Sequence, residues 1–515
     1  MGVRDLLEEL SEKRRQFRQM GGPEKVRKQH ERGWFTARER IERLLDKNSF
    51  MEVGLFAHSD FPGMEEKTPA DGLICGYGLI NGRRVAVIAN DFTVLASTNA
   101  KVSLKKLLHF KTQVKEKMKV PFIFLGEAGG ARMPDCQGSK EVCDLTGYVP
   151  DGLRPEYTHF RTQPFVFAAL GKCHGVADFQ ANLADFVVQV KGSAISVSGP
   201  RALKKAIGQA YSGEEMGGWE VHSKITGVTD VVAENEEASF QIIRKFLSYM
   251  PNNQNELPPR EAVPPGSEER MSRILEVLPE SRKRAYDMHH IIECIVDRGE
   301  CFELKPEFGG MLITCLARIN GEVVGIVANN PIVNMGATNT DALDKMMGFL
   351  CLCDSFNIPL VFFHDTPGHM VGKEAERKKV GAKVVNALQC LFQVTVPKIA
   401  IIVRKTYGQA TINMCGIGGG PDFIVAWPTA EIGFMDPSIA VDVVYGNSPE
   451  EERQKMIDKM RGDNSPYPAA GAYCLQDIID PRETRDYLIK VLQIIRDSES
   501  KGMSKHYLAN WPTKF

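Results

Sequence analysis

Apolar runs of strand length recur along the chain, each closed by a turn and followed by a segment with helical spacing. Two such runs, 73–80 and 83–92, are joined by Asn81-Gly82. They predict a hairpin, because Asn-Gly supplies the left-handed residues of a turn that matches strand twist. Buried strands are predicted at Val120-Pro-Phe-Ile-Phe-Leu125, 164–170, Leu360-Val-Phe-Phe363 and Ile399-Ala-Ile-Ile-Val403. Residues 1–48 read as charged helix. The clearest amphipathic piece is 36–45, where Thr36 and Glu39 have the spacing of a capping box. Strands alternating with helices argue for α/β layering, with helices packed on sheets.

The pattern occurs twice. Ile80-Asn-Gly82 followed by 85–90 returns as Ile319-Asn-Gly321 followed by 323–329, with Asn81 and Asn320 239 residues apart. Pro121 and Pro359 are 238 apart, the Gly129-Gly130 turn matches Pro367-Gly368, and Gly175-Val-Ala177 matches Gly408-Gln-Ala410. So regular an offset marks an internal duplication. Between the copies lies 251–266, with five prolines and no apolar periodicity, which reads as an extended linker. The expected organisation is an N-terminal domain 1–258, a proline-rich linker 259–266 and a C-terminal domain 267–515.

Two turns hold candidate chemistry. Residues 399–403 run into Tyr407-Gly-Gln-Ala410, a strand–turn–helix unit whose first helical N–H groups lack internal partners and converge above the turn. An enolate or ureido oxygen placed there would be stabilised by donors needing no reorganisation. Gly408 permits the tight backbone and Ala410 keeps the approach open. The second turn follows 120–125 and contains Gly129-Gly-Ala-Arg132. An ordinary strand–helix connection explains either turn taken alone. The duplication suggests that the halves exist to bring the two together.

Composition narrows the class. At 515 residues two domains are expected. A net charge of −1 gives no reason to expect nucleic acid or an anionic membrane. No apolar run approaches the ~18 residues of a membrane span, and the N-terminus has neither a signal core nor the Ser or Thr that myristoylation wants at Leu6. Twelve cysteines without a CxxC pair read as core thiols of a reducing compartment, and the cytoplasm fits. No Ser-His-Asp set or metal-ligand spacing can be assembled.

GGAR at 129–132, TARERI at 36–41, Tyr407-Gly408 and above all FIVAWPTAEIGFM at 423–435 resemble the carboxyltransferase (β) subunits of biotin-dependent acyl-CoA carboxylases, across nearly the whole chain. The group includes propionyl-CoA carboxylase, methylmalonyl-CoA decarboxylase and transcarboxylase subunits. The resemblance implies two tandem crotonase-like α/β domains and a hexamer, a trimer of dimers, whose active site lies between the N-half of one subunit and the C-half of another. It further implies an acyl-CoA thioester as substrate and biotin carried on a separate chain. Biotin carboxylase and the biotin carboxyl carrier would be partners, and no metal is implied. Transfer of CO2 between carboxybiotin and an acyl-CoA needs a stabilised enolate and a stabilised biotin anion, not a side-chain nucleophile. Carried over, backbone N–H groups at Gly129-Gly130 would serve the enolate and those at Gln409-Ala410 the ureido oxygen. Ala131, Arg132, Gly368, Gly408 and Ile412 would line the substrates, with Ile412 at the position that tunes acyl size.

Several residues depart from the family pattern. Gln409 stands where a glycine is usual, a short 95–100 replaces a glycine-rich loop, and Met133-Pro-Asp135 replaces Gln-Glu-Gly. These changes bear on the substrate more than on the fold. Arg132 is read either at CoA phosphates or the transferred carboxylate, or in a structural salt bridge. His174 reads as an ordinary loop histidine, Glu431 as a turn-fixing residue and the methionines of 303–347 as core. The alternatives to a carboxylase subunit are a decarboxylase or transcarboxylase of the same fold, a crotonase-type hydratase needing pocket carboxylates, and a non-catalytic paralogue within a complex.

Overall fold

The computed structural model describes residues 2–147, 154–158, 161–282 and 284–512. The chain divides into two compact units at Asn253–Gln254. The proline-rich stretch packs with the second, where the Glu261 N–H donates to the Gly321 carbonyl at 3.1 Å.

In the first unit β1 (Met51–Val53), β2 (Leu73–Ile80) and β3 (Arg83–Asn90) form an antiparallel meander. Beside β3 run β4 (Phe122–Gly129), β5 (Phe165–His174), β6 (Phe186–Val190) and β8 (Val231–Ala233), all parallel. The long β5 changes partner midway: Val166–Ala169 pair with β6, and Lys172–His174 with the short β7 (Ala194–Ser196). The predicted hairpin turn is present, with φ of 50° at Asn81 and 76° at Gly82.

The second unit repeats this plan. β9 (Cys301–Glu303), β10 (Leu312–Ile319) and β11 (Glu322–Asn329) are antiparallel, followed by parallel β12 (Leu360–Thr366), β13 (Lys398–Tyr407), β14 (Phe423–Ala426) and β16 (Asp477–Ile478). β13 divides as β5 does, its first half pairing β14 and its last residues pairing β15 (Glu431–Gly433). Even the irregularities recur, with register shifting at Gly126/Ala128 against β5 and at His364/Thr366 against β13. Strands buried on both faces explain why 399–403 reads as a continuous apolar run.

Helices cover the sheets with apolar faces. Phe124 of β4 and Phe167 of β5 stack at 5.4 Å within the first core. In the second, Val361, Phe363, Ile399 and Ile401 pack with Trp427 of the AWP motif, whose Nε1 donates to Thr484 Oγ1 at 2.9 Å.

The amphipathic helix Ala37–Leu44 is closed by its predicted capping box: the Thr36 N–H donates to the Glu39 carboxylate at 2.8 Å, and the Glu39 N–H to Thr36 Oγ1. The helix carries Arg40 into the core, where it meets Glu127 of β4 at 2.6 Å and Glu236 at 2.5 Å. All three side chains are buried. A buried charge survives only when paired, so this triad ties the N-terminal helices to the strand that ends at Gly129.

Candidate active site

Each unit ends its central strand in the same device. After β5, Gly175 takes φ 62°, ψ −119° and the helix Val176–Leu183 begins; after β13, Gly408 takes φ 58°, ψ −144° and the helix Gln409–Asn413 begins. The two glycines are 233 residues apart and hold almost one conformation. Their positive φ is one that L side chains resist. A methyl group at Gly408 would also stand 3.0 Å from the Phe434 carbonyl oxygen.

Each turn is fixed from behind, because the Gly175 N–H donates to the Val197 carbonyl and the Gly408 N–H to the Gly433 carbonyl. The next donors, the N–H groups of Val176 and Ala177 and of Gln409 and Ala410, have no acceptor among the described residues. That is the ordinary condition of a helix start, and here it presents aligned donors to whatever occupies the turn.

The double glycine lies beside the first of these turns. Gly130, at φ 100°, closes β4, and a methyl at Gly175 would be 3.4 Å from the Gly130 Cα. The Asn99 N–H donates to the Gly130 carbonyl and the Arg132 N–H to the Asn99 carbonyl, both at 2.8 Å. The second unit repeats this with Thr338, Gly368 (φ 132°) and Met370. Gly130 thus stands next to the turn that opens the helix at Val176, and Gly129 pairs with His174 in the sheet. Reading the sequence singled out the glycine pair and passed over Gly175–Val176, although the repeat already aligned them with Gly408–Gln409.

Of the two readings of Arg132, the structure has the salt bridge. Its guanidinium is buried, 2.7 Å from Asp71 and 3.1 Å from Asp135, and donates to the Thr98 carbonyl at 2.8 Å. It locks the loop after Gly130 to 71 and 98 and leaves little charge for a ligand. Gln409 is exposed and Ile412 half-buried. Glu431 accepts from the Tyr407 hydroxyl at 2.9 Å and pairs with Arg282 at 3.2 Å, so it fixes the end of β13. His174 is buried with Nδ1 2.9 Å from Ser196 Oγ. Burial holds its pKa below the usual value.

The short 95–100 segment is strained. Leu95, Ala96 and Ser97 have φ of 48°, 55° and 46°, a region that costs non-glycine residues roughly 1–2 kcal/mol each. Ala96 lies against the turn, its Cβ being the nearest atom, at 3.3 Å, to a methyl placed on Gly129. Replacing Ala96 with glycine is expected to stabilise the protein by on the order of 1 kcal/mol, since relief of strain outweighs the added freedom of the unfolded chain. Thermal unfolding would rise by about 2–4 °C, and a fall would mean that the methyl contact matters more than the strain.

Asp178, in the first turn of the helix begun by Val176, is buried with no cation as partner among the described residues, and desolvation pushes its carboxyl up to about 6. The unfolded chain gives up this proton near pH ~3.9, so folding loses stability as pH rises from about 4 to 6 and the penalty persists above that. Asp178→Asn removes it. The shift sets a ceiling of about 3 kcal/mol, reduced to on the order of 1 by water near the helix start. The gain should appear at pH 7 and vanish by pH 4 in paired unfolding curves; curves that stay parallel would refute the cause given.

The carboxyl transferase domain family matches residues 28–507, and the chain belongs to that family. Among its relatives, the carboxyltransferase subunit of propionyl-CoA carboxylase from Haloferax mediterranei is 33% identical over 98% of this chain and 99% of its own. The methylmalonyl-CoA carboxyltransferase 12S subunit of Propionibacterium freudenreichii subsp. shermanii is 34% identical, over 98% and 97%. The methylmalonyl-CoA decarboxylase α subunit of Veillonella parvula is 33% identical, over 98% of both. The crystal structure of transcarboxylase 12S with methylmalonyl-coenzyme A superposes with a TM-score of 0.88 over 96% of each chain. The two crotonase-type α/β units are those of this family. No helix among the described residues is long and apolar enough to cross a membrane.

Proposed function

We propose that this chain is the carboxyltransferase component of a biotin-dependent acyl-CoA carboxylase or of the related decarboxylases and transcarboxylases. It moves CO2 between carboxybiotin and the α-carbon, or its vinylogous equivalent, of an acyl-CoA. The observation that carries this reading is the pair of equivalent turns, each presenting unpartnered helix N–H groups behind a glycine. Two oxyanion holes suit a reaction with two developing oxyanions.

In the first unit, the Val176 N–H would hold the thioester oxygen as the α-carbon loses its proton, or CO2, and the enolate forms. Gly129–Gly130 and Ala131 wall that site, and the fixed donors favour the enolate over the neutral thioester. In the second unit, Gln409 and Ala410 would hold the ureido oxygen, with Gly368 and Ile412 beside them. Bound there, biotin supplies the nitrogen that carries CO2. The residues fit such a group: only glycine is accommodated at 408, the donors are free, and Phe434 stands 81% exposed beside the turn. Biotin would come on a carrier chain charged by a biotin carboxylase. A hexamer, with each site completed by a neighbouring subunit, follows from likeness to the transcarboxylase 12S hexamer. The cytoplasm is the proposed compartment.

One observation favours a second reading. Asp178 retains a proton more firmly than usual just past Val176, so a biotin-independent decarboxylase or hydratase using this carboxyl is the alternative. The test offers purified protein free biotin with malonyl-, methylmalonyl-, glutaconyl- and methylglutaconyl-CoA and follows loss of CO2. Biotin-dependent loss from one thioester supports the proposal and names the acyl class. Loss without biotin supports the alternative, and no loss from any thioester counts against both and returns the chain to a non-catalytic role.

A further inference from the structure

The second unit contains a cavity of ≈ 700 Å³ that the turns do not use, bounded by 270–279, 284–287, the helix Met288–Ile295 and Ile332. Arg270, Arg273 and Arg284 all line it. Among the described residues none of the three is in an ion pair. Arg270 is half-buried, and although one of its Nη groups donates to the Val296 carbonyl, its buried Nε has no acceptor. Three carboxylates also face the cavity, of which Asp287 is committed elsewhere. Asp287 accepts from the His289 N–H at 3.0 Å and from Asn330 Nδ2 at 3.2 Å, and lies 2.6 Å from His289 Nδ1. Glu293 lies 3.5 Å from His290. Glu276 and Glu293 remain to oppose three guanidinium groups.

Three unpaired guanidiniums around one concavity repel each other and favour an anion between them. Guanidinium matches phosphate by paired N–H···O bonds. The volume is that of small-molecule sites, about 300–1,000 Å³, far more than an inorganic ion fills. Apolar surface from Val277, Pro279, Ala285 and Tyr286 completes the wall. The Tyr286 ring is held in place by Arg404, 4.9 Å from its centroid.

We propose that this cavity binds a phosphorylated small organic molecule of nucleotide size, its phosphates on Arg270, Arg273 and Arg284 and its body against the apolar wall. The proposal does not depend on the acyl-CoA assignment above. Its ligand chemistry has two possible sources, a free nucleotide or the phosphoadenosine end of coenzyme A.

The test titrates the full chain with ADP, coenzyme A and pyrophosphate by calorimetry at low and moderate salt. ADP is expected to bind, or coenzyme A to show a second equivalent beyond the acyl-CoA site. The Arg273→Ala/Arg284→Ala variant changes two exposed residues, so its fold should be preserved. It should weaken that binding at least tenfold, lessen its salt dependence and leave biotin-dependent decarboxylation at the wild-type rate. Arg273→Glu alone should weaken it further than Arg273→Ala. The first probe to bind identifies the source. Absence of binding by ADP and of a second coenzyme A equivalent at millimolar concentration overturns the proposal, as does binding that survives the double variant. Pyrophosphate binding as tightly as ADP overturns the assignment to an organic ligand. Failure of the carboxyltransferase assay leaves these titrations readable.

Discussion

Replacing Gln409 with proline is expected to lower biotin-dependent turnover by roughly 10²–10³ while leaving thermal unfolding nearly unmoved. Gln409 is the first residue of its helix, following Gly408. Proline suits that position because its fixed φ is helical and its missing N–H is one that the helix does not use. Gly408, at ψ −144°, is also outside the α region that a following proline disfavours. The substitution therefore removes one donor of the proposed hole and little else. Gln409→Ala keeps the N–H and loses only an exposed amide, so its rate should stay within a few-fold of wild type. Val176→Pro is the matching experiment in the other repeat, and loss should appear there with every thioester. If Gln409→Pro turns over normally while Gln409→Ala fails, the side chain and not the backbone carries the chemistry.

Those variants test an assignment that the sequence only half revealed. Hairpins, the capping box at Thr36 and Glu39, and the duplication were legible because each depends on residues close in sequence or repeated at a constant offset. The turn at Gly408 was legible for the same reason. Its partner was harder to see, because Gly129–Gly130 looks more like an oxyanion turn than Gly175–Val176 does. Conformation separates them: Gly175 shares the φ and ψ of Gly408 and opens a helix, whereas Gly130 ends a strand and supports its neighbour. Alignment of the two repeats held that signal, and Val176, where a second glycine would have been conspicuous, obscured it. Arg132 was open to two readings because its nearest carboxylate, Asp71, lies 61 residues upstream. Only the tertiary fold could decide between them. Asp178 gave no signal either, since an acidic residue in a first helical turn usually stabilises the helix and is solvated. Its burial is what raises its affinity for a proton.

The largest loss of stability is expected at Arg40. Arg40→Met preserves the apolar stem and removes the charge, leaving Glu127 and Glu236, both 4% exposed, as buried carboxylates. Glu127 would keep the Gln29 amide at 2.8 Å, and Glu236 the Phe35 N–H at 3.1 Å. Breaking such a cluster from one side costs about 3–5 kcal/mol, or about 10 °C in the unfolding of a unit this size. Two further measurements separate charge from packing. The loss should shrink towards pH 5, because burial already raises the Glu236 pKa and without Arg40 that carboxyl would protonate more readily still. Converting both to glutamine in the Arg40→Met background should recover much of the stability, since apolar or neutral replacements of whole buried ion clusters are often tolerated. Turnover should fall with stability and return with it, because Glu127 sits on β4 two residues before Gly129. Its side chain also fills the space beside Gly171, where a methyl would meet it at 2.7 Å. An unfolding loss that is the same at pH 5 and pH 7.5, and that the glutamines do not repair, would place the role of Arg40 in packing alone.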